Sequence, residues 1–556
     1  MNQKNSFKII VNRPYVLLFA IMLIAFLLRV IKLSDIPASL SHDEVAIGYN
    51  AWSILKTGSD EYGVKFPLLF RSFDDYKLPG YVYLTAFSEF IFGLTPFAVR
   101  FPSAMFGTLS VGVLYFFVKA LLLKTHKNDA FKVALLCAAV LALSPWHINF
   151  SRAAFESNVS AFFILLSITF LFEARRNSRY YFLSSISGVL ALYTYYSSRV
   201  ILPIVYMVYI FLYFHDVRRS FRNVIFACIL GIILLLPLIP QMLSSGMSRV
   251  NQVSIFEDKS LTNPYSEAIV KNGNSIFARS VYNRRVAYAQ QFTDNYLKNF
   301  APDFYFTNGT GPMGLLYFWE IPFFLLGIYS VAKLKSKSKW IIFAFYLSVP
   351  IVGGLTVQQP NALRTLPNVF ITSLFTGIGL YYFGDRVKRK KIVLTLAAFI
   401  VALFFIRFLV MYFDYQKINQ ADKWGDGHSQ LASYLRVNQK YYDKIYITGE
   451  RWRPYTYLLF YTNYDPKLYQ NEKGSRYGFG RYKFGRAIWD EPGGIDLSTD
   501  DLTQYADRKT LFILSKNDLN NQNELINIQK RPYRLKVIES INGKYNSEIF
   551  YVVKIQ

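Results

Sequence analysis

Apolar residues in this chain come in blocks, and the length of those blocks constrains what it can fold into. Windows near residues 15–34, 101–121, 132–148, 158–174, 180–196, 200–214, 222–243, 313–332, 340–357, 366–384 and 392–413 are each close to the roughly 20 residues that carry a helix across a bilayer. Composition agrees, since 53% of the 556 residues are hydrophobic and 18% aromatic, well above an ordinary soluble chain. The expectation is an all-α polytopic membrane protein with about eleven transmembrane helices. The first block follows Lys4, Lys8 and Arg13 as a secretion signal does, but it is too long for one and no small-residue cleavage site follows, so it is expected to stay as the first span.

A net charge of +26 raises the question of nucleic acid, yet the basic residues sit in short turns between apolar blocks and not on one amphipathic face, which argues against it. They cluster at Lys119/Lys124/Lys127/Lys132, Arg175/Arg176/Arg179, Arg218/Arg219/Arg222, Lys333/Lys335/Lys337/Lys339 and Arg386/Lys388/Arg389/Lys390/Lys391, always at alternate turns. The positive-inside rule places these in the cytoplasm together with the amino terminus. Residues 34–100, 149–157, 197–199, 244–312, 358–364 and everything after about 414 then face outward across the plasma membrane. Arg29 and Lys32, at the outer end of the first span, run against the rule, so the orientation rests on the later loops. Leu78 to Val99 is apolar but interrupted by Pro79, Gly80, Glu89, Gly93 and Pro96. Counting it as a crossing would turn every basic loop outward, so it reads as an interfacial or re-entrant helix on the outer face.

After Phe413 the composition turns polar, with a helical pattern at His428–Val437 and strand-like runs at Lys444–Thr448, Tyr457–Tyr461, Thr510–Leu514 and Ile549–Ile555. This divides the chain into a membrane domain, 1–413, whose first outer loop is 34–100, and an extracytoplasmic α/β domain, 414–556. Within the latter, Tyr477 to Arg486 is rich in aromatic and basic residues and reads either as an acceptor-binding surface or, preferably, as plain strand-rich fold. Cys137 and Cys228 both lie inside apolar windows and read as packing residues, which excludes a disulfide framework or a cysteine zinc site.

Charge in the outward turns points to chemistry. Asp43 and Glu44 precede an amphipathic run, where acids also favour a first helical turn, and Asp60, Glu61, Asp74, Asp75 and Lys77 follow in the same loop. Arg152 and Glu156, spaced four apart, form an ordinary helix pair if taken alone, and Arg199 and Arg364 are ordinary snorkelling anchors if taken alone. Outward cations together with outward carboxylates are what a phosphate leaving group and a general base require.

The order of Asp43-Glu44, Asp75-Tyr-Lys-Leu-Pro79, Val99-Arg-Phe-Pro-Ser-Ala-Met-Phe-Gly-Thr-Leu109 and Ser151-Arg-Ala-Ala-Phe-Glu156 resembles the family 39 glycosyltransferases of GT-C fold, which include protein O-mannosyltransferases and aminoarabinose-lipid A transferases. The resemblance covers about residues 14–410 and stops before the carboxy-terminal domain. It implies a hexosyl- or pentosyltransferase that moves a sugar from a polyprenyl-phosphate carrier, in a membrane-lipid setting, to a protein, lipid or glycan acceptor on the outer face. Asp43 matches the family's catalytic acid, Glu156 its second-loop acid and Lys77 a cation near the carrier phosphate. On this reading Asp43 is the base, with Glu44 and Glu156 beside it, and Lys77, Arg364, Arg152 and Arg199 stabilise the departing phosphate. A divalent metal such as Mg or Mn, held by Asp43 or Glu44 with Glu156, is the alternative stabiliser.

The main rival is a transporter or flippase of a lipid-linked or anionic solute, because membrane charges also mark permeation paths. Transporters show related halves and midplane charges, whereas this chain shows no halves and most of its singled-out charges lie in outer loops. A scaffold that recruits a partner through the outer domain would leave those charges without a role.

Overall fold

The computed structural model describes residues 3–72, 75–122, 129–244, 253–310, 313–388, 390–451, 453–486, 495–531 and 533–556. Lys124, Lys127 and Arg389 of the basic clusters and Asp74 of the first outer loop lie outside them. The chain forms two compact units: one comprises Met1–Ile31, Asp75–Gly80 and Ser103–Leu409, the other Lys32–Asp74, Tyr81–Pro102 and Val410–Gln556.

The first unit is helical. It contains α1 (Gln3–Val30), the greater part of α4 (Pro96–Leu122), and then α5 (Ala130–Leu143), α6 (Pro145–Ser151), α7 (Glu156–Ala174), α8 (Tyr180–Thr194), α9 (Ser198–Leu212), α10 (Phe214–Arg219) and α11 (Phe221–Leu235). Among the described residues Pro96–Leu122, Glu156–Ala174 and Lys391–Asn419 are each long and apolar enough to cross a membrane, and α5 with α6 makes a fourth if their 57° bend lies within one span. Pro14–Val30, Ser198–Leu212, Phe221–Leu235, Glu320–Ala332 and Ser338–Gly354 are shorter apolar helices. The bend between α5 and α6 is a capped restart: Ser144 ends α5, its hydroxyl accepts the His147 amide, and Pro145 opens α6.

Packing in this unit follows membrane rules, with small residues where helices touch. A Cβ on Gly327 would stand 1.8 Å from the Phe375 carbonyl oxygen, and one on Gly379 would stand 1.9 Å from that of Phe323. Helices Glu320–Ala332 and Asn368–Arg386 therefore meet backbone to backbone. Arg29 is fully buried and donates to the Ala25 and Ala142 carbonyls while pairing with His147 Nδ1 at 2.9 Å. Its position against the charge rule thus has a packing reason.

The stretch Leu78–Val99 is divided into α3 (Pro79–Phe92), too short at 14 residues for a full crossing, and the first turn of α4, with a break at Gly93–Thr95. Strand β1 (Phe70–Ser72) belongs to the second unit and β2 (Asp75–Lys77) to the first.

The second unit carries a six-stranded sheet of β3 (Lys444–Ile447), β4 (Gly478–Phe479), β5 (Tyr482–Phe484), β6 (Thr510–Leu514), β7 (Leu535–Ile541) and β8 (Phe550–Ile555), in the order β4-β5-β3-β6-β8-β7. β3 runs parallel to both neighbours, and the remaining pairs are antiparallel. Alternating side chains feed two apolar layers. Ile445, Ile447, Leu511 and Ile513 face one, while Tyr446, Phe512 and Leu514 face the other. A strand buried on both faces reads as a continuous apolar run, as Thr510–Leu514 does.

Three expected elements of the terminal domain are present, together with the helix His428–Asn438. The expected strand at Tyr457–Tyr461 is instead the last part of a helix, Pro454–Tyr461. Pro454 at its first position presets the helical φ, and Tyr455, Leu458 and Leu459 share the core, a 3–4 spacing that a strand would split between faces. Phe479, Tyr482 and Phe484 of the aromatic-basic stretch are core residues of the sheet. Helix α2 (His42–Thr57) belongs to the same unit: Tyr49 donates to the Tyr464 carbonyl at 3.2 Å, and Gln470 Nε2 reaches Ser53, Thr57 and the Asp60 carbonyl.

Candidate active site

In the second unit the site is built on the start of α2. Ser41 is the N-cap, with an extended backbone, its hydroxyl accepting the Glu44 amide and Glu44 Oε2 accepting the Ser41 amide in return, which completes a capping box. Glu44 is buried and ion-paired with Arg100, whose Nε donates to Oε1 at 2.9 Å and Nη2 to Oε2 at 3.1 Å. Arg100, itself fully buried, also donates to the carbonyls of Leu33, Pro37 and Ser39. One guanidinium thereby fixes the loop entering α2 and the carboxylate at its N3 position. In the sequence Arg100 shows only as one residue of the Val99–Leu109 motif, because its partner lies 56 positions away.

The two neighbouring acids are thus divided in labour. Glu44 is committed to the cap and to Arg100. Asp43 stands one position earlier with its side chain 50% exposed and its Oδ2 3.6 Å from His42 Nε2. Glu44 makes the cap, while Asp43, an acid of the same first turn, keeps its side chain half exposed. Farther along the loop, Asp60 accepts the Tyr62 and Val64 amides, and Glu61 exchanges hydrogen bonds with Asn50 on α2. Burial pushes the Glu61 carboxyl up to about 8. Much of the charge that made this loop conspicuous therefore holds the loop in shape.

In the first unit three predicted residues gather around Tyr196, in the turn before α9. The Tyr196 hydroxyl donates to the Tyr76 carbonyl at 3.2 Å, one residue before Lys77, and the Arg199 guanidinium lies 4.3 Å from the centre of its ring. Burial pushes the Tyr196 phenol up, Arg199 and Lys77 pull it down and Glu156 raises it, so all three charges lie within electrostatic reach of one phenol. Lys77 is buried. Arg199 Nε and Nη2 are buried and meet no hydrogen-bond acceptor among the described residues.

Two cavities adjoin this turn. One, of about 600 Å³, is an apolar groove between α8, α9 and α11, bordered by Arg199, Leu202, Tyr206, Val224, Cys228 and Ile232. Cys228 is exposed there, a correction to its reading as a packing residue, whereas Cys137 is buried. The other, of about 230 Å³, lies against Tyr195, Tyr196, Val200, Phe256, Thr356 and Arg364. Arg364 donates to the Val357 carbonyl at 2.7 Å, and burial pushes its guanidinium down while Tyr195 opposes the shift. Arg152 is placed differently: fully buried, it donates to the Leu28 and Ile31 carbonyls at the end of α1, a helix-terminus role. Among the described residues no group of three or more His, Cys, Asp or Glu side chains has the arrangement of a metal site.

The family model described as dolichyl-phosphate-mannose-protein mannosyltransferase matches residues 77–243, a stretch that begins at Lys77 and includes Arg152, Glu156 and Arg199. No curated protein matches the sequence. Among solved structures, ArnT from Cupriavidus metallidurans bound to undecaprenyl phosphate superposes with a TM-score of 0.56 at 13% identity, over 98% of this chain and 98% of that one. The chain has the GT-C fold. The apo form of the same ArnT gives 0.53 at 11% identity, with 97% of each chain covered. The oligosaccharyltransferase of Archaeoglobus fulgidus, in complex with zinc and sulfate, gives 0.50 at 12% identity over 80% of this chain and 61% of that longer one. The GT-C assignment agrees with the family resemblance read from the motifs, and the family model falls on the part of the GT-C chain that carries the Tyr196 cluster.

Proposed function

We propose that this protein is a membrane glycosyltransferase that moves a sugar from a polyprenyl-phosphate carrier to a protein, lipid or glycan acceptor on the extracytoplasmic face. The observation that carries the proposal is the pairing of an apolar groove with a cation at its border: Arg199 adjoins the α8–α9–α11 groove with two guanidinium nitrogens, Nε and Nη2, unpartnered among the described residues. An isoprenoid tail suits the groove and its phosphate suits Arg199. The matched family description names a dolichyl-phosphate sugar, and ArnT was solved with undecaprenyl phosphate, which supports the same donor class.

The chemistry follows from the residue types. The acceptor hydroxyl loses its proton to Asp43 as its oxygen bonds to the anomeric carbon, and the bond from that carbon to the phosphate oxygen breaks with its electron pair on the phosphate. A single displacement inverts the anomeric centre. Lys77, Arg199 and Arg364 counter the charge that grows on the phosphate, and Glu156 sets the local balance around Tyr196. Glu44 uses both oxygens on Arg100 and Ser41 and does not fit a metal ligand, which leaves Asp43 and Glu156 as the acids of the metal alternative.

In this proposal residues 1–413 form the transferase domain, with eleven spans and a cytoplasmic amino terminus, and 414–556 an extracytoplasmic domain. A reporter active only outside the cytoplasm is expected to work after residue 280 or 430 and to fail after 336 or 388. Activity after 388 overturns the orientation.

The donor site is tested by thiol labelling, since Cys228 borders the groove and Cys137 is buried. Undecaprenyl phosphate is expected to slow maleimide modification of Cys228 at least tenfold more than the matching polyprenol does, an Arg–phosphate contact being worth roughly 1.5–3 kcal/mol. Arg199→Gln should erase that difference. Equal protection by alcohol and phosphate removes Arg199 as a phosphate ligand.

A further inference from the structure

The terminal domain holds a cavity of its own, which shares no lining residue with the donor groove. β5, β3 and β6 are adjacent and parallel, so the chain leaves their carboxyl ends, Phe484, Ile447 and Leu514, at one edge of the sheet. Connections diverge beyond such an edge, which is why open α/β sheets bind ligands there. Here the divergence encloses about 420 Å³, within the usual range for a small-molecule site.

The floor is tightly built. A Cβ on Gly449 would stand 2.0 Å from the Gly485 carbonyl oxygen, and the Gly485 amide donates to the Ile447 carbonyl at 2.8 Å, so the exits of β3 and β5 lie backbone against backbone. Glu450 is held by the Ser515 hydroxyl and by Asn517 Nδ2, while Asn521 Nδ2 donates to the Ser498 hydroxyl at 2.6 Å. Among the described residues Glu450, Asp496, Arg486, Asn517, Asn520 and Asn521 line the space, with Leu497 as the one aliphatic side chain.

That lining selects the chemistry of its ligand. Among the described residues the carboxylates of Glu450, Asp496 and Asp518 outnumber Arg486, which disfavours a phosphate or any other anion, and a lining of mostly polar side chains disfavours a lipid. Carboxylates accept and amides both donate and accept, a combination that satisfies neighbouring hydroxyl groups, each of which does both. We infer that the cavity beyond the carboxyl ends of β3, β5 and β6 binds a saccharide, neutral or bearing an amine. Resting on the transfer reaction proposed above, this saccharide is part of a glycan acceptor, which narrows the acceptor from protein, lipid or glycan to a sugar-bearing one.

The test is direct binding, with the full chain in lipid nanodiscs free of glycoside detergent. Methyl glycosides of glucose, galactose, mannose, N-acetylglucosamine and glucosamine are titrated at millimolar concentration by saturation-transfer NMR. At least one is expected to bind, and Asn520→Trp, an exposed position whose indole would fill the cavity, is expected to weaken it at least tenfold. Asn517→Ala, which removes the amide that holds Glu450, is a second and milder variant expected to weaken it severalfold. The inference is overturned if no glycoside binds, or if both variants bind as the wild type does. The readout needs no turnover. A protein that binds glycoside here but transfers no sugar removes the function proposed above and keeps the site, and a working transferase that binds none does the reverse.

Discussion

Asp43→Asn is expected to lower sugar transfer by about 10² to 10⁴, the usual contribution of a general base, with donor affinity close to that of the wild type. The substitution keeps size and polarity and removes the proton acceptor. It leaves the fold alone for a structural reason: the cap of α2 is made by Ser41 and Glu44, and the Asp43 side chain is half exposed beside His42. Were Asp43 only a first-turn acid, Asn in its place would be nearly silent, since a half-exposed charge at a helix end is worth roughly 0.3–1 kcal/mol. Transfer and donor binding measured on this one variant separate the two accounts, and near-normal transfer removes Asp43 as the base.

Arg100→Met is expected to be the most damaging substitution for the fold of the second unit. Methionine replaces much of the aliphatic stem but none of the donors, leaving the Glu44 carboxylate and three carbonyls buried without their partner. Removing one member of a buried pair costs roughly 3–5 kcal/mol, because the other charge stays desolvated. Thermal unfolding followed by fluorescence should show a clear fall in Tm. Arg100→Lys should recover little, since one ammonium cannot imitate the fork. Combining Arg100→Met with Glu44→Gln should recover part of the loss, since the uncompensated charge is then gone. A double variant no more stable than Arg100→Met alone would show that the carbonyls, and not the ion pair, dominate.

Local patterns in the sequence were enough to find most helices and strands β3, β6 and β8, because span-length apolar runs and doubly buried strands leave dense, local signals. They failed at Tyr457–Tyr461, where aromatic composition suggested a strand and Pro454 with 3–4 spacing made a helix. Among the site residues, Asp43 stood out by its position before an amphipathic run, and Lys77, Glu156 and Arg199 by being charged between apolar blocks. Their gathering about Tyr196 could not be read, since it joins residues from three distant segments. Arg152 has the same sequence signature as Arg199, and only its acceptors, the carbonyls of Leu28 and Ile31, set it apart. Exposure of Cys228 in the groove was equally hidden, because a cysteine in an apolar window looks the same whether it faces a neighbour or a cavity.

That a polyprenyl-phosphate-linked sugar is this protein's substrate is tested most directly by mass spectrometry of the lipid-linked sugars. Cells whose only copy carries Asp43→Asn, and cells lacking the protein, are compared with the wild type. One polyprenyl-phosphate sugar is expected to accumulate in both and to be consumed when the wild-type protein is restored. Lipid-linked sugar pools that are identical in all three would contradict it.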